Sequence, residues 1–94
     1  NTMITLIVKF VIKPVNFLEF IYQTSFLQDK SRAESGCIIY ETCKHPEEKH
    51  GLVFIEVFDS PAALERHKGY GHFTKWKELT SDMIISKEVT RYDS

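Results

Sequence analysis

The sequence predicts an α+β fold: one ferredoxin-like βαββαβ unit, an antiparallel sheet with its helices on one face. Three observations carry that expectation. Strand-like runs stand at Ile4–Ile12, Cys37–Lys44, Leu52–Phe58 and Ile84–Tyr92. Helix-like runs, with apolar residues three and four apart, fall between the first and second strands and between the third and fourth. Turn residues punctuate the junctions: Pro14, Gly36, Gly51 and the pair Ser60-Pro61. The resulting order, strand, helix, strand, strand, helix, strand, is that of the ferredoxin-like unit.

Each element has a local cause. In the first strand Ile4, Leu6, Val8, Phe10 and Ile12 point one way, and Thr5, Ile7, Lys9 and Val11 the other. Pro14 ends that strand and suits the first turn of a helix, with Asn16 as a competing cap. Phe17, Phe20, Ile21, Thr24 and Leu27 make the apolar stripe of this helix, which is expected to fade in the polar run from Gln28 to Ser35. Gly36 turns the chain into the second strand, where Cys37, Ile39, Glu41 and Cys43 should share one face and Ile38, Tyr40 and Thr42 the other. His45 to Gly51 is a polar hairpin loop, so His45 and His50 are expected to be solvated. Ser60 caps a short helix with Pro61 at its first position, and Gly69 and Gly71 are expected to end it. A further helix, about His72 to Ser81, presents Phe73, Trp76, Leu79 and Thr80 in register.

Composition excludes several classes. The 94 residues form a single domain, 1–94, without repeats or linkers. Twelve basic residues against thirteen acidic, with no block of either sign, argue against nucleic acid. No apolar run approaches the roughly 20 residues a membrane span needs. No signal peptide is read in Met3–Ile12, and Asn1 and Thr2, which precede the first methionine, fit processing residues. Cys37 and Cys43 lie about 20 Å apart along one strand, beyond disulfide reach, and free thiols suit a cytoplasmic location. The first and third strands are apolar on both faces. The face without helices therefore needs a cover, and a second copy packed sheet to sheet is the inferred partner.

Several residues offer chemistry. His67 shares a helix face with Ala63 and Leu64 and so points at the sheet, either as a general acid or base or as a core histidine. His72 opens the next helix, as a cap or hinge or as a second catalytic group. No third ligand of fixed spacing accompanies the two, so no metal site is read. Glu56 is the one charge in the third strand, on the face of Phe54 and Phe58; it either pairs at the dimer interface or faces a ligand cavity. Glu41 carries the same ambiguity. Tyr40, Phe54, Tyr70, Phe73, Trp76 and Phe58 are a rich aromatic set, either core or stacking surface for a flat ligand.

The stretches Glu34-Ser35-Gly36-Cys37-Ile38-Ile39-Tyr40-Glu41, Glu56-Val57-Phe58-Asp59-Ser60-Pro61-Ala62-Ala63-Leu64 and His67-Lys68-Gly69-Tyr70-Gly71-His72-Phe73 resemble the antibiotic biosynthesis monooxygenase domain family. Its members carry a GC-x-x-YE strand, an E-x-(W/F)-x-S-x-x-A-L junction and an H-x-x-x-x-HF tail. The resemblance implies a dimeric α/β barrel and an oxidoreductase, a monooxygenase without metal or flavin that acts on quinols or polycyclic phenols. It also implies catalytic roles for His67 and His72 and a substrate pocket holding Tyr40, Phe54, Glu56, Phe73 and Trp76. A haem-degrading branch of the fold is not matched, because Lys9, His67 and Lys77 stand at the positions of its asparagine, tryptophan and histidine. An isomerase branch acting on a small phosphorylated metabolite shares the pattern His67-Lys68 followed by His72. Lys9, Lys44, Lys68 and Arg91 could supply its phosphate grip only by converging in three dimensions. A non-catalytic dimeric small-molecule-binding protein is the remaining alternative.

Overall fold

In a computed structural model, which describes residues 2–94, four strands form one antiparallel sheet in the order β2-β3-β1-β4. They are β1 (Ile4–Ile12), β2 (Cys37–Lys44), β3 (Gly51–Phe58) and β4 (Ile84–Asp93). Helices α1 (Phe17–Arg32), α2 (Pro61–Gly69) and α3 (Gly71–Thr80) cover one face. Asn1 lies outside the described residues. Register ties the alternation of β1 to its neighbours: Val8 stands opposite Phe54 on one side and Val89 on the other. Ile4, Val8, Phe10, Ile12, Phe54 and Phe58 thus point together at the helices, where Phe20, Leu27, Leu64 and Trp76 meet them. Phe10 and Phe54 pack with ring centroids 4.8 Å apart and Trp76 lies 5.9 Å from Phe54. Full burial of each such side chain contributes about 1.5–3 kcal/mol. The indole N–H of Trp76 donates to Thr24 Oγ1 at 3.1 Å, so its polar end is satisfied inside the core.

Three local features depart from the sequence expectation. α1 does not fade at Gln28 but continues to Arg32. Its polar last turns are fastened to the outer edge of β2. Gln28 Oε1 accepts from the Thr42 amide at 3.1 Å, and Arg32 Nε donates to the Tyr40 carbonyl at 2.9 Å. β2 carries a bulge between Cys37 and Ile39. Cys37 pairs with Phe58 and Tyr40 with Glu56, so both face the helices although odd and even positions of a regular strand would not. The junction of α2 and α3 is made by Tyr70, whose extended backbone (φ −70°, ψ 147°) leaves the helix. Gly69 and Gly71 have no positive φ and open space where a Cβ would stand, so neither is sterically required there.

Other residues differ in environment. Leu79 is exposed, bordering a groove with Tyr22 and Phe26. His45 and His50 are half-buried and hold the hairpin loop. His45 Nδ1 accepts from the amides of Glu47 and Glu48, and His50 packs edge-on against Phe17. Cys37 and Cys43 are free thiols. The uncovered face of the sheet presents Ile7, Val11, Val53 and Ile55, all half-buried, with Ile39 exposed beside them. No described helix is long and apolar enough to cross a membrane.

Candidate active site

Two junctions deliver the site. At the first, Ser60 caps α2 by accepting from the Ala63 amide at 3.1 Å, and Pro61 opens the helix. Ala63, Leu64 and His67 then fall on one buried face, and His67, in the last turn, is 2% exposed. At the second, Gly36 adopts φ 91°, and a Cβ there would lie 2.7 Å from that of Ala63. Only glycine allows this approach. It brings the segment before β2 against α2 and carries Glu34 to the histidines.

Glu34 joins His67 to His72. Its side chain is 4% exposed, and its Oε2 lies 2.8 Å from Nδ1 of His67 and 2.5 Å from Nε2 of His72. A buried carboxylate needs such donors. With Nδ1–H of His67 donating to Glu34, the tautomer follows from the network and leaves a lone pair on Nε2. That Nε2 is buried, has no hydrogen-bond partner and stands 4.0 Å from Glu56 Oε1. Burial holds the proton affinity of His67 down, with Glu34 opposing that effect.

His67 borders a cavity of about 270 Å³ between the helix side of the sheet, α2 and α3. Tyr40, Phe54, Glu56, His67, Phe73 and Trp76 all line it. The register puts Glu56 on the helix side, so it faces this cavity and not the uncovered face of the sheet. Burial pushes its carboxyl up to about 7; Lys87 opposes that shift and Glu34 adds to it. Burial likewise raises the Tyr40 phenol and pushes the Cys37 thiol up to about 11. Lys68, Lys87 and Arg91 stand at the rim. Glu41 is elsewhere, exposed and paired with Arg32 at 2.9 Å. His72 does not line the cavity. It stacks on Tyr70 and borders the groove between α1 and α3.

Sequence reasoning therefore missed Glu34, the bridge between both histidines, and Lys87 at the rim. Glu34 stands 33 and 38 residues from its partners, and no local pattern marks it. Of the basic residues proposed as a phosphate grip, Lys68 and Arg91 converge on the cavity; Lys9 and Lys44 do not line it. Glu34 also supplies the third donor that the sequence did not show beside the two histidines: the ligand atoms of Glu34, His67 and His72 lie within 4.8 Å of one another, a group that could hold a metal ion. Their spacing is that of hydrogen bonds.

Residues 3–79 match the sequence profile of the family described as Antibiotic biosynthesis monooxygenase. The uncharacterized protein sll1783 of Synechocystis sp. is 32% identical over 73 residues, 78% of this chain; the chain spans half the length of that relative. PA3566 from Pseudomonas aeruginosa superposes with a TM-score of 0.91 at 26% identity, covering 100% of this chain and 95% of that one. A conserved protein from Methanosarcina mazei gives 0.90 at 25% identity, over 96% and 90%.

Proposed function

Because the chain belongs to the antibiotic biosynthesis monooxygenase family, we propose that it is a cofactor-independent monooxygenase oxidising a quinol-like or polycyclic phenolic molecule with dioxygen. The observation that carries this reading is His67 on the wall of an aromatic-lined cavity, its buried Nε2 without a hydrogen-bond partner. His67 is the general base and takes the phenolic proton. Glu34 holds the ring in the tautomer that leaves Nε2 free and stabilises the imidazolium that forms. The electron-rich phenolate then gives an electron to dioxygen. One oxygen atom enters at a ring carbon and becomes a quinone carbonyl; the other leaves as water with that carbon's single hydrogen and the phenolic proton taken up by His67, so no outside reductant is needed. Tyr40, Phe54, Phe73 and Trp76 orient the ring and keep water out. Protein stripped of metal and flavin should take up oxygen faster than buffer with a panel of hydroquinones and anthrols. A panel in which no member is consumed above background would remove this reading.

A second reading has its own observation. Lys68, Lys87 and Arg91 at the rim, above the pair His67 and Glu56, suit an isomerase that moves a proton between adjacent carbons of a small phosphorylated metabolite. Deuterium exchange into a phosphorylated hydroxyketone, with no oxygen consumed, would select it. In either case we propose a homodimer joined across the uncovered face of the sheet.

A further inference from the structure

Glu34, His67 and His72 come from three separate places in the fold. Glu34 stands before β2, His67 in the last turn of α2, and His72 in the first turn of α3. The extended backbone of Tyr70 between the two helices turns His72 back toward His67, and the ring centroids lie 6.3 Å apart. Each ring is held from outside the group. Phe58 and Phe73 pack on His67 at 5.1 and 4.9 Å, and Tyr70 stacks on His72 at 5.3 Å. The inner nitrogens, Nδ1 of His67 and Nε2 of His72, both meet Oε2 of Glu34. Two imidazole nitrogens and one carboxylate oxygen thus converge inside a largely apolar frame.

This donor set selects among ions. Magnesium and calcium take oxygen ligands, whereas two imidazoles with one carboxylate form a zinc set that keeps a fourth position for water. A metal-bound histidine donates its other ring N–H to a carboxylate or carbonyl, which fixes the tautomer. Such a partner is in place: Glu56 Oε1 stands 4.0 Å from Nε2 of His67, the buried nitrogen without a hydrogen-bond partner. An ion here replaces the protons that the rings share with Glu34, and the atoms part by about 1 Å or less to admit it. His72 is 18% exposed, against 2% for His67 and 4% for Glu34, so it is the side by which an ion enters. Of the three only His67 lines the cavity. The ion therefore meets no ligand bound there and acts on it through the His67 ring.

We propose that Glu34, His67 and His72 form a site for a divalent ion of the zinc class, and that the bound ion silences His67 as a base. Without metal, Nδ1–H of His67 donates to Glu34 and the lone pair is on Nε2. Coordination takes the lone pair of Nδ1, so the ring proton stands on Nε2, beside Glu56. One N–H bond breaks at Nδ1 and one forms at Nε2; the ring stays neutral and nothing is oxidised or reduced. In that state His67 has no lone pair left to accept a phenolic proton. The metal-free protein is the working form, and zinc is its inhibitor. The site stands on the three side chains alone, whereas the inhibition rests on the reading of His67 as the proton acceptor.

Cobalt(II) and zinc are the probes, added to the full chain after a chelator has stripped it. Cobalt should bind at about one ion per chain and give the intense visible bands of a four-coordinate site, and zinc should displace it. His72→Gln removes a ligand but keeps a donor to Glu34. It should lower the cobalt affinity by at least about 100-fold, more than the loss of an outer partner costs. His50→Gln, on the hairpin loop, should leave the affinity unchanged. A wild type that binds no cobalt at micromolar concentration, undiminished binding by His72→Gln, or binding lost with His50→Gln overturns the site. Should His72→Gln not fold, two-bond nitrogen–proton NMR spectra of the wild-type imidazoles decide. Zinc should shift Nδ1 of His67 and Nε2 of His72 and leave the His67 proton on Nε2. Shifts confined to His45 and His50 overturn the site, and a His67 proton that stays on Nδ1 with zinc bound overturns the switch. Where a quinol is oxidised, zinc should stop oxygen uptake and a chelator restore it; full turnover by the zinc-loaded protein overturns the inhibition. A protein that oxidises no quinol still shows the cobalt bands and the change of tautomer, so loss of the oxygenase reading and loss of the metal site are separate results.

Discussion

Glu56→Gln tests the electrostatics of the cavity most directly. The carboxyl is 6% exposed, and burial lifts it from an ordinary 4.5 to about 7. Because the folded state raises the affinity, the folded protein holds a proton that the unfolded chain has already lost. The stability due to that proton is present in full below pH 4.5 and is lost as pH rises to about 7. At about 1.4 kcal/mol per pH unit, the interval from 4.5 to about 7 corresponds to a loss of about 3 kcal/mol once Glu56 ionises. Glutamine has the same shape and no such loss. Urea unfolding at pH 4, 6 and 8 should therefore show the Glu56→Gln variant gaining on the wild type by about 3 kcal/mol across that range, roughly 10–20 °C in Tm for a domain of this size. The pH dependence of groups remote from Glu56 cancels in the difference. A gap that stays constant from pH 4 to pH 8, or narrows, would refute the argument. If Glu56 shares a proton with His67 during turnover, the stabilised variant should also turn over more slowly.

Further outcomes follow from other parts of the molecule. His67→Ala should lower turnover of an accepted quinol by about 10²–10⁴-fold, the usual worth of a general base, and a variant that melts early but turns over normally would remove His67 from the mechanism. Gly36→Ala sets a Cβ 2.7 Å from that of Ala63 at φ 91° and should cost about 1–3 kcal/mol, read by thermal melting; an unchanged Tm would contradict the close approach. Sedimentation at micromolar concentration should give twice the 11.0 kDa chain, and Ile55→Asp on the uncovered face should dissociate or unfold it. A monomeric wild type would sink the proposed dimer.

What could be read from the sequence was local in origin. The alternation of Ile4 to Ile12 and the cap at Ser60-Pro61 act within a few residues, and both stand where their chemistry puts them. The pocket set Tyr40, Phe54, Glu56, Phe73 and Trp76 meets in one cavity because strand parity and helix spacing each select a face. Parity also has a limit. The extra residue in β2 cannot be inferred from alternation, so Cys37 turns toward the helices with Tyr40 instead of away from it. The last turns of α1 look polar because Gln28 and Arg32 serve the backbone of β2, a contact that spacing along the helix does not reveal. Glu34 is harder still, since its role exists only once two distant junctions have closed.

The fastening of α1 to β2 bears on how the sheet ends. An edge strand offers unpaired amides and carbonyls to any passing chain, and proteins blunt that hazard by cover or by charge. At β2 the cover is Gln28 and Arg32, which occupy the Thr42 amide and the Tyr40 carbonyl. At β4, among the described residues, protection falls to the side chains themselves, with Lys87, Glu88, Arg91 and Asp93 spaced along the strand. The two edges are therefore unequal. A foreign strand meets side-chain obstruction at β2 and only screened charge at β4, so high salt should promote edge-to-edge association through β4 alone.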